Sequence, residues 1–319
     1  MDNEIKVSIL CLSYNHERYI SRTLDSFLMQ KVSFPYEIIV CNDASVDGTL
    51  NIINAYAEKH PNVIKVINHR ENLGGSRSLL ECMKLAKGQY VAACEGDDFW
   101  TDENKLRIQA DFLDKNPQYI GCVHNICLVD KDGNPMRKQR LFWLSGKKVF
   151  SLSDFDAIHL PGHASSFMRR NLFLDKDFDL DKTFLVDNNI GDRTLFLTWL
   201  SYGDIYKLPQ KMSAYRVVRK GDNITSKNYR MNRMRTLAEF TYLCKLEKYA
   251  ALLGHGDLHF EKRKRMLFAD SLINAVRYGG ENKKVPKQIL EKTRNKPLCI
   301  LSVPYNLLKK VLIKIFMVG

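Results

Sequence analysis

Apolar and polar positions alternate in two patterns along the first hundred residues. Four short runs are apolar almost throughout, and they are separated by segments whose apolar residues recur every three or four positions. The runs are VSILCL, YEIIVCN, NVIKVINH and YVAAC, at residues 7–12, 36–42, 62–69 and 90–94. Strands that are apolar on both faces and alternate with amphipathic helices are typical of a parallel sheet covered on both sides. The pattern therefore predicts an α/β domain of the nucleotide-binding type.

The next hundred residues continue the alternation less regularly. The segment LRIQADFLDKN has helical spacing, and YIGCVHNICLVDKDG is extended and ends in a turn. A further strand is predicted at HASSFMRR, and GDRTLFLTWLSYG is predicted to become helical after Arg193. Beyond Tyr215 the pattern predicts a loop and then mostly basic helices. We therefore divide the chain into a first domain over residues 1–220 and a basic helical region over residues 221–319.

Polar clusters follow the four apolar runs. They are SYNHE, NDASVDGT, ENLGGSR and EGDD, which begin at residues 13, 42, 71 and 95. Ligands of open α/β sheets bind outside the carboxyl ends of the strands, and these clusters stand at those ends. The pattern therefore predicts one binding site, built from four loops at a single edge of the sheet.

The segment CEGDDFW places three carboxylates within four positions, at Glu95, Asp97 and Asp98. Carboxylates this close repel one another unless a cation lies among them or one of them takes up a proton. Mg²⁺ and Mn²⁺ prefer oxygen ligands, and Mg²⁺ is often held by one or two carboxylates together with substrate phosphates. The alternative is that Asp97 or Asp98 caps the following helix, but capping needs only one carboxylate. We therefore expect a divalent cation site with Asp97 and Asp98 as ligands.

Asp43 comes directly after the second apolar run. A carboxylate at a strand end can accept the imide N–H of a uracil ring, which predicts a nucleotide-binding role. The alternative is a turn residue that bonds its own backbone. That alternative suits Asp47, which precedes Gly48, better than it suits Asp43.

The net charge is unevenly distributed along the chain. The sequence has 49 Lys and Arg residues against 36 Asp and Glu, a formal net charge of +13. Residues 1–218 hold 27 basic and 28 acidic side chains, so the remaining 22 and 8 in residues 219–319 carry the whole excess, about +14. Near the end of the chain, LLKKVLIKIFMV over residues 307–318 places its three lysines opposite an apolar stripe on a helical wheel.

A cationic amphipathic helix of this kind is typical of proteins that lie on an anionic membrane surface. The alternative is a terminal helix that packs on the core and leaves its basic face in water. Nucleic acid is a further partner for such charge, but the basic runs contain no recognised nucleic-acid-binding module and no interleaved aromatic residues. We therefore expect an anionic membrane surface as a partner and no nucleic acid.

Three further features narrow the class of protein. The N-terminus MDNEIKVSIL lacks the pattern of a signal peptide, and the chain has no run of about 18 apolar residues that would span a membrane. The eight cysteines are scattered, without a CxxC pair or zinc spacing. These features predict a cytoplasmic protein whose cysteines are reduced core residues.

Four motifs, taken in order, resemble those of the family 2 glycosyltransferases. They are SILCLSYNHERYISRTLDSFLMQ, EIIVCNDASVDGT, ENLGG and EGDDFW, and the resemblance covers about residues 5–220. It implies the GT-A fold, a mostly parallel nucleotide-binding sheet flanked by helices, and an inverting transfer of sugar from a nucleotide-diphosphate donor. It also implies that Ser13, Tyr14 and Asp43 hold the base, while the acidic DxD element binds ribose and metal.

One departure from the family concerns the first position of the DxD element. Family members often have Asp where this chain has Glu95. The prediction that this element binds ribose and metal therefore depends more on Asp97 and Asp98. The resemblance implies a divalent cation, Mg²⁺ or Mn²⁺, as the cofactor. The residues expected to bind the donor are Ser13, Tyr14, Asp43, Glu95, Asp97 and Arg216.

The catalytic base is expected at Asp192. The family's later motif is a Glu-Asp pair at the start of a helix, and its Asp is the general base. This chain has Gly191 and Asp192 there, followed by a segment that resembles the family's helix, strand and Tyr-Arg ending. On spacing alone, the alternative is that Asp192 is a helix N-cap.

Arg216 closes the first domain. It is expected either to meet a phosphate through its planar fork or to pair with a surface carboxylate. Many relatives have a His two positions later, where this chain has Val218, and Arg219 or Lys220 is the substitute that we consider. His163 stands where relatives often line the acceptor side, and an ordinary strand histidine is an equal alternative.

These features together lead us to expect an inverting, metal-dependent glycosyltransferase. It would move a sugar from a nucleotide-diphosphate donor, with UDP preferred, to a glycan or lipid-linked glycan acceptor in cell-surface polysaccharide biosynthesis. Its expected location is the inner face of the cytoplasmic membrane. The alternatives are a sugar-nucleotide nucleotidyltransferase, which would share the sheet and the acidic site, and a non-catalytic nucleotide-sugar binding protein.

Overall fold

The structure is a computed structural model that describes residues 4–137, 141, 144–157, 159–175, 178, 191–218 and 235–306. The described residues fall into two units. One lies within residues 1–155 and 159–217, and the other within residues 156–158 and 218–319.

The first four strands of the first unit form the parallel half of its sheet. They are β1 Val7–Ser13, β2 Tyr36–Asn42, β3 Ile64–Asn68 and β4 Tyr90–Ala93, in the order β3-β2-β1-β4. The connections contain helices α1 Ile20–Leu28, α2 Thr49–Lys59 and α3 Gly75–Leu85. Six of the seven residues of β1 are buried, because helices cover both faces of a parallel sheet. The predicted α/β class is confirmed.

The sheet continues beyond β4 with strands that run in both directions. β8 Met168–Arg170 lies antiparallel between β4 and β6 Tyr119–Val129, and β6 is parallel to β9 Asp204–Arg216. Two short strands, β5 Phe99–Trp100 and β7 Val149–Phe150, are antiparallel to β9. The strand predicted at HASSFMRR is shorter than expected, because residues 164–166 form a 3₁₀ turn.

Two more helices belong to this unit. α4 Lys105–Lys115 and α5 Asp192–Leu200 both contact β6. The predicted helix after Arg193 is present, but it begins two residues earlier than expected, at Asp192. Trp100 of β5 is 1% exposed, its ring lies 4.7 Å from that of Phe27 in α1, and its indole N–H donates to the Ser165 carbonyl at 3.2 Å. These contacts fix the turn between β4 and β5 against the core.

The second unit is helical in its described part. Its helices are α6 Arg235–Leu252, α7 Glu261–Tyr278, α8 Val285–Glu291 and α9 Lys296–Leu301. Lys264 is buried, and its ammonium group donates to Glu247 at 2.8 Å. The four helices confirm the predicted helical C-terminal region. The amphipathic helix predicted over residues 307–318 lies outside the described residues, and none of the helices in the described ranges is long and apolar enough to cross a membrane.

Candidate active site at the carboxyl ends of the strands

The loops after β1 and β2 are joined by side-chain to backbone hydrogen bonds. The backbone N–H of His16 donates to the Thr49 hydroxyl at 2.8 Å, and that of Val46 donates to the Asn15 amide oxygen at 2.9 Å. The backbone N–H of Gly48 donates to Glu17 at 3.0 Å. The polar clusters SYNHE and NDASVDGT therefore form one rigid edge, as the sequence pattern predicted.

Asp43 is buried at this edge, and its carboxylate joins the loop after β2 to the loop after β3. One carboxylate oxygen accepts from the Leu73 N–H at 2.8 Å and lies 2.9 Å from His69 Nδ1, and the other accepts from the Gly74 N–H at 2.9 Å. Each carboxylate oxygen has about two acceptor positions. One oxygen is therefore fully used within the protein, while the other keeps one position for a donor from a ligand.

His69 lies between two carboxylates, a contact that the sequence analysis missed. Its Nδ1 is 2.9 Å from Asp43 and its Nε2 is 2.8 Å from Glu81 of α3. Burial lowers the pKa of His69, but the hydrogen bonds to Asp43 and Glu81 outweigh burial and raise it above the ordinary 6.5. Ionised carboxylates only accept hydrogen bonds, so the two contacts favour the protonated ring, in which both nitrogens donate.

Ala44 follows Asp43 in an unusual backbone conformation. Its φ angle is +57°, which for an L-residue costs roughly 1–2 kcal/mol relative to the right-handed region. Strain of this kind is kept where the surrounding structure demands it, often at functional sites. Here the strained turn carries the chain from Asp43 towards the loop that meets Asn15.

The acidic turn after β4 presents its three carboxylates at different depths. Glu95 is exposed, Asp97 is partly exposed and Asp98 is buried. Desolvation by the surrounding protein atoms, with the charges of Asp97 and Asp192, raises the pKa of Glu95 to about 8. Burial and the charge of Asp97 also raise the pKa of Asp98 well above its usual range. The turn therefore holds more negative charge than its surroundings balance.

Arg216 and α1 hold this turn in place. The Asp98 carboxylate accepts from the Arg216 backbone N–H at 2.8 Å, and the Arg216 guanidinium donates to the backbone carbonyls of Asp97 at 2.8 Å and Lys131 at 2.9 Å. The Thr23 hydroxyl of α1 is 2.6 Å from the Asp98 carbonyl and 3.0 Å from that of Gly96. Arg216 is 4% exposed, so its fork is used mainly within the protein.

Four buried polar atoms around this edge have no hydrogen-bond partner among the described residues. They are Ser13 Oγ, His16 Nδ1, Asn42 Oδ1 and Asp98 Oδ2. Two of these atoms, His16 Nδ1 and Ser13 Oγ, lie close to the acidic turn because residue 96 is a glycine. A Cβ at this position would lie 2.7 Å from His16 Nδ1 and 3.0 Å from Ser13 Oγ. Buried polar atoms are normally paired. Their grouping at one edge points to a polar ligand or ion that this edge receives.

Asp192 lies in a cavity of about 50 Å³ that Glu95 also lines. Gly191 takes the N-cap position and Asp192 is the first residue of α5, so the structure does not support the N-cap alternative. Burial raises the pKa of Asp192, while Arg193 opposes that rise. The predicted base and the acidic turn thus meet at one cavity, although they are 97 positions apart in the sequence.

The other predicted residues lie as follows. Tyr14 is 44% exposed at the same edge. The ring of Tyr215 contacts that of His163 at a tilt of 41°, with centroids 4.4 Å apart. His163 is buried and its Nδ1 lies 3.9 Å from Asp98, so it adjoins the acidic turn. Arg219 and Lys220 lie outside the described ranges. Within those ranges, no three His, Cys, Asp or Glu side chains converge closely enough to hold a metal by themselves.

Solved structures with a similar fold bind nucleotide sugars. TarS residues 1–349 of S. aureus, in complex with UDP-GlcNAc, is 18% identical with a TM-score of 0.55; the match covers 95% of this chain and 88% of that one. A mannosyltransferase of Pyrobaculum calidifontis, in complex with GDP-Man and Mn²⁺, is 16% identical with a TM-score of 0.52, over 96% and 88% of the two chains. At these identities the likeness shows the GT-A type fold alone.

The sequence comparisons give the family. An uncharacterized protein of Mycobacterium tuberculosis is 40% identical over 127 residues, which are 40% of this chain and 37% of that protein. The match therefore spans less than two fifths of the length of this relative. Residues 8–175, more than half of the chain, match the family model described as Glycosyl transferase family 2. The chain belongs to glycosyl transferase family 2.

Proposed function

We propose that this protein is an inverting, metal-dependent glycosyltransferase that uses a nucleotide-diphosphate sugar, with UDP as the preferred nucleotide. The observation that carries the proposal is the meeting of the acidic turn with Asp192 at one cavity. This edge is also the place of Asp43 and of four unpartnered buried polar atoms. Nucleoside recognition, charge neutralisation and proton removal are thus supplied by adjacent loops of one unit.

The nucleoside is proposed to bind at the carboxyl ends of β1 and β2. Asp43 keeps one acceptor position on the oxygen that also accepts from Gly74, which suits the imide N–H of uracil. Tyr14 is exposed enough to cover a base, and Ser13 Oγ is an unpartnered buried hydroxyl beside it. The solved neighbour that holds UDP-GlcNAc supports this donor class.

The divalent cation is proposed to bind at Asp97, with Glu95 or the free oxygen of Asp98 as a second ligand. The residues fit such an ion, because Asp98 Oδ2 is buried without a partner and the pKa values of Glu95 and Asp98 are raised. A bound cation supplies Lewis-acid neutralisation of the departing diphosphate. In this proposal Arg216 fixes the backbone of Asp97 and Asp98. It therefore affects the phosphate through the acidic turn and not by the direct contact that the sequence predicted.

Asp192 is proposed to remove the proton from the acceptor hydroxyl as that oxygen attacks the anomeric carbon from the face opposite the leaving group. Its raised pKa makes its carboxylate a stronger base than an exposed aspartate. A single displacement of this kind inverts the configuration of the sugar.

The acceptor is proposed to be a glycan or lipid-linked glycan at the inner face of the cytoplasmic membrane, within cell-surface polysaccharide biosynthesis. Helix α9 supports a membrane partner, because Ile300 and Leu301 are 52% and 75% exposed. Arg294 and Lys296 stand just before these apolar residues. Apolar side chains beside basic ones suit the interface of an anionic bilayer.

The test is a transfer assay with radiolabelled UDP, GDP, dTDP and CMP sugars, with and without Mn²⁺ or Mg²⁺. We expect metal-dependent release of UDP and transfer of the labelled sugar. Asp192→Asn should lower kcat by at least about 100-fold, the size of a general-base contribution, with UDP affinity unchanged. Asp102→Asn, outside the cavity, is the matched control.

Two results would favour the alternatives. With pyrophosphate added, formation of UTP and the labelled sugar 1-phosphate in place of UDP would identify a nucleotidyltransferase, because in that reaction pyrophosphate attacks the phosphorus of the nucleotide sugar. Tight nucleotide binding without transfer to any acceptor, equal in the wild type and Asp192→Asn, would favour a binding protein.

A further inference from the structure

Arg169 is a buried cation in the cavity that contains Asp192 and Glu95. It lies in β8, where its backbone is opposite Val91 of β4 and Gly121 of β6. Its side chain is 2% exposed. The neighbouring Arg170 differs, because its guanidinium donates to the backbone carbonyls of Leu113 at 2.8 Å and Tyr119 at 3.0 Å.

One edge of the Arg169 guanidinium lacks an acceptor. Its Nε and Nη2 are buried and have no hydrogen-bond partner among the residues that the structure describes. These two nitrogens carry parallel N–H groups, the fork that binds both oxygens of a carboxylate. The ring faces of Trp199 and Phe167 lie 4.6 and 5.3 Å from the guanidinium carbon. The aromatic rings hold the guanidinium plane in place but provide no oxygen that could accept hydrogen bonds from its N–H groups.

The acids of the same cavity do not serve as the partner of Arg169. Within the described ranges neither Glu95 nor Asp192 forms an ion pair with it. The pKa values of both acids are raised, whereas a guanidinium beside either would lower them. Burial alone lowers the pKa of Arg169, to about 9. The cavity therefore has an acidic wall and a separate basic wall.

A buried charge without a partner is costly, and an unpaired buried donor calls for an explanation such as a bound ion or ligand. A water needs about 10–15 Å³ of such cavity volume, so a cavity of about 50 Å³ has room for several waters. That space suits a small planar substituent that projects from a larger ligand. A carboxylate matches both the size and the parallel N–H groups.

We propose that Arg169 binds the carboxylate of an acidic sugar, so that this enzyme acts on a uronic acid unit. The inference rests on the proposed function, because the same cavity holds the proposed base. The acidic sugar enters either as the donor, such as a UDP-glucuronate, or as the terminal unit of the acceptor. In both cases the side-on fork selects a carboxylate over the neutral hydroxymethyl group of a hexose.

The experiment measures binding by isothermal titration calorimetry with Mn²⁺ in two arms. The donor arm compares UDP, UDP-glucose and UDP-glucuronate. The acceptor arm compares methyl β-D-glucoside with methyl β-D-glucuronide in the presence of saturating UDP. We expect the acidic ligand to bind at least about tenfold more tightly than the neutral one in one of the two arms, the scale of a charged hydrogen bond. The arm that discriminates identifies which substrate carries the carboxylate.

Three variants distinguish the contribution of the parallel N–H groups of Arg169 from the contributions of its charge and its packing. Arg169→Met should remove the preference for the acidic ligand and leave UDP affinity unchanged. Arg169→Lys retains the charge without the fork and should keep only part of the preference. Arg170→Met, the matched control in the adjacent position, should keep the full preference. If Arg169→Met fails to fold, the lysine variant still measures the contribution of the fork.

Two negative results are distinguishable. If UDP binds but neither arm separates the acidic from the neutral ligand, the inference about Arg169 is overturned and the proposed function stands. If UDP does not bind with any metal, the proposed function is contradicted, and the inference fails with it.

Discussion

His69 shows how a single residue orients Asp43, at the end of the candidate site where we propose that the nucleotide binds. Its ring holds one oxygen of Asp43, and the backbone N–H groups of Leu73 and Gly74 hold the carboxylate from the other side. Glu81 faces the second ring nitrogen and Cys41 lies 3.7 Å from the ring. Because both carboxylates are acceptors, the arrangement depends on a protonated ring.

Stability near this site should therefore depend on pH in a defined direction. The pKa of His69 is raised in the folded protein. Its contribution to stability is then fully present below the unfolded value of about 6.5 and is lost as pH rises through the higher folded value. We expect the wild type to lose its stability advantage over His69→Gln as pH rises above about 6.5, with UDP affinity falling in parallel.

Urea unfolding and UDP titration between pH 5.5 and 9 would measure this dependence. His60→Gln, at the end of α2 and away from Asp43, is the control that should behave as the wild type. A constant difference between wild type and His69→Gln across this range would show that the ring stays neutral and that our account of its two hydrogen bonds is wrong.

At the scale of elements, the contact between α1 and the acidic turn is decisive. α1 buries Ile20, Leu24 and Phe27 completely, as expected of a helix whose apolar residues recur every three or four positions. The same helix turns the Thr23 hydroxyl towards the carbonyls of Gly96 and Asp98. An element that packs for hydrophobic reasons thus also fixes the backbone on which the proposed metal ligand stands.

Thr23→Val tests this role with almost no change of shape. It leaves two buried carbonyls without the hydroxyl, which should cost about 1–3 kcal/mol of unfolding free energy. Mn²⁺ affinity in the presence of UDP should also fall, because the acidic turn loses its support.

The control for this variant is Thr198→Val in α5. Its hydroxyl donates to the Thr194 carbonyl of its own helix at 2.8 Å, so its loss should leave Mn²⁺ affinity unchanged. Equal Mn²⁺ affinity for Thr23→Val and the wild type, measured by calorimetry, would contradict the support that we assign to α1.

At the scale of the whole molecule, the two parts of the chain differ in charge. Residues 1–218 are nearly neutral, while residues 219–319 carry about +14. Exposed apolar residues Leu298, Ile300 and Leu301 lie in this basic part. Because the charge lies in one part and the candidate site in the other, we expect that the proposed membrane binding and the proposed sugar transfer can be lost independently.

Deletion of residues 300–319 should therefore weaken binding to anionic vesicles without loss of UDP affinity. The expected signature is co-sedimentation of the full chain with phosphatidylserine vesicles that declines with rising salt, since such electrostatic attraction is screened. Neutral phosphatidylcholine vesicles are the control for composition. Unchanged co-sedimentation of the shortened chain would refute the anchor, and retention of duplex DNA by the basic part would favour nucleic acid instead.

The residues alone determined much of this picture. The alternation of apolar runs with segments of helical spacing predicted the α/β class, because buried strands and amphipathic helices produce patterns among residues that are close in the sequence. The four ordered motifs predicted the family. The loops at residues 13, 42 and 95 were expected at one edge for the same reason. The roles of the individual site residues remain predictions that the proposed experiments test.

Only the tertiary structure decided which side chains already have partners. The sequence does not show that the Arg216 guanidinium donates to backbone carbonyls or that His69 lies between Asp43 and Glu81. Nor does it show that one edge of Arg169 has no acceptor among the described residues. These contacts join residues 12 to 119 positions apart. Pairing of this kind depends on the packing of strands and helices that are distant in the chain, and no local pattern records it.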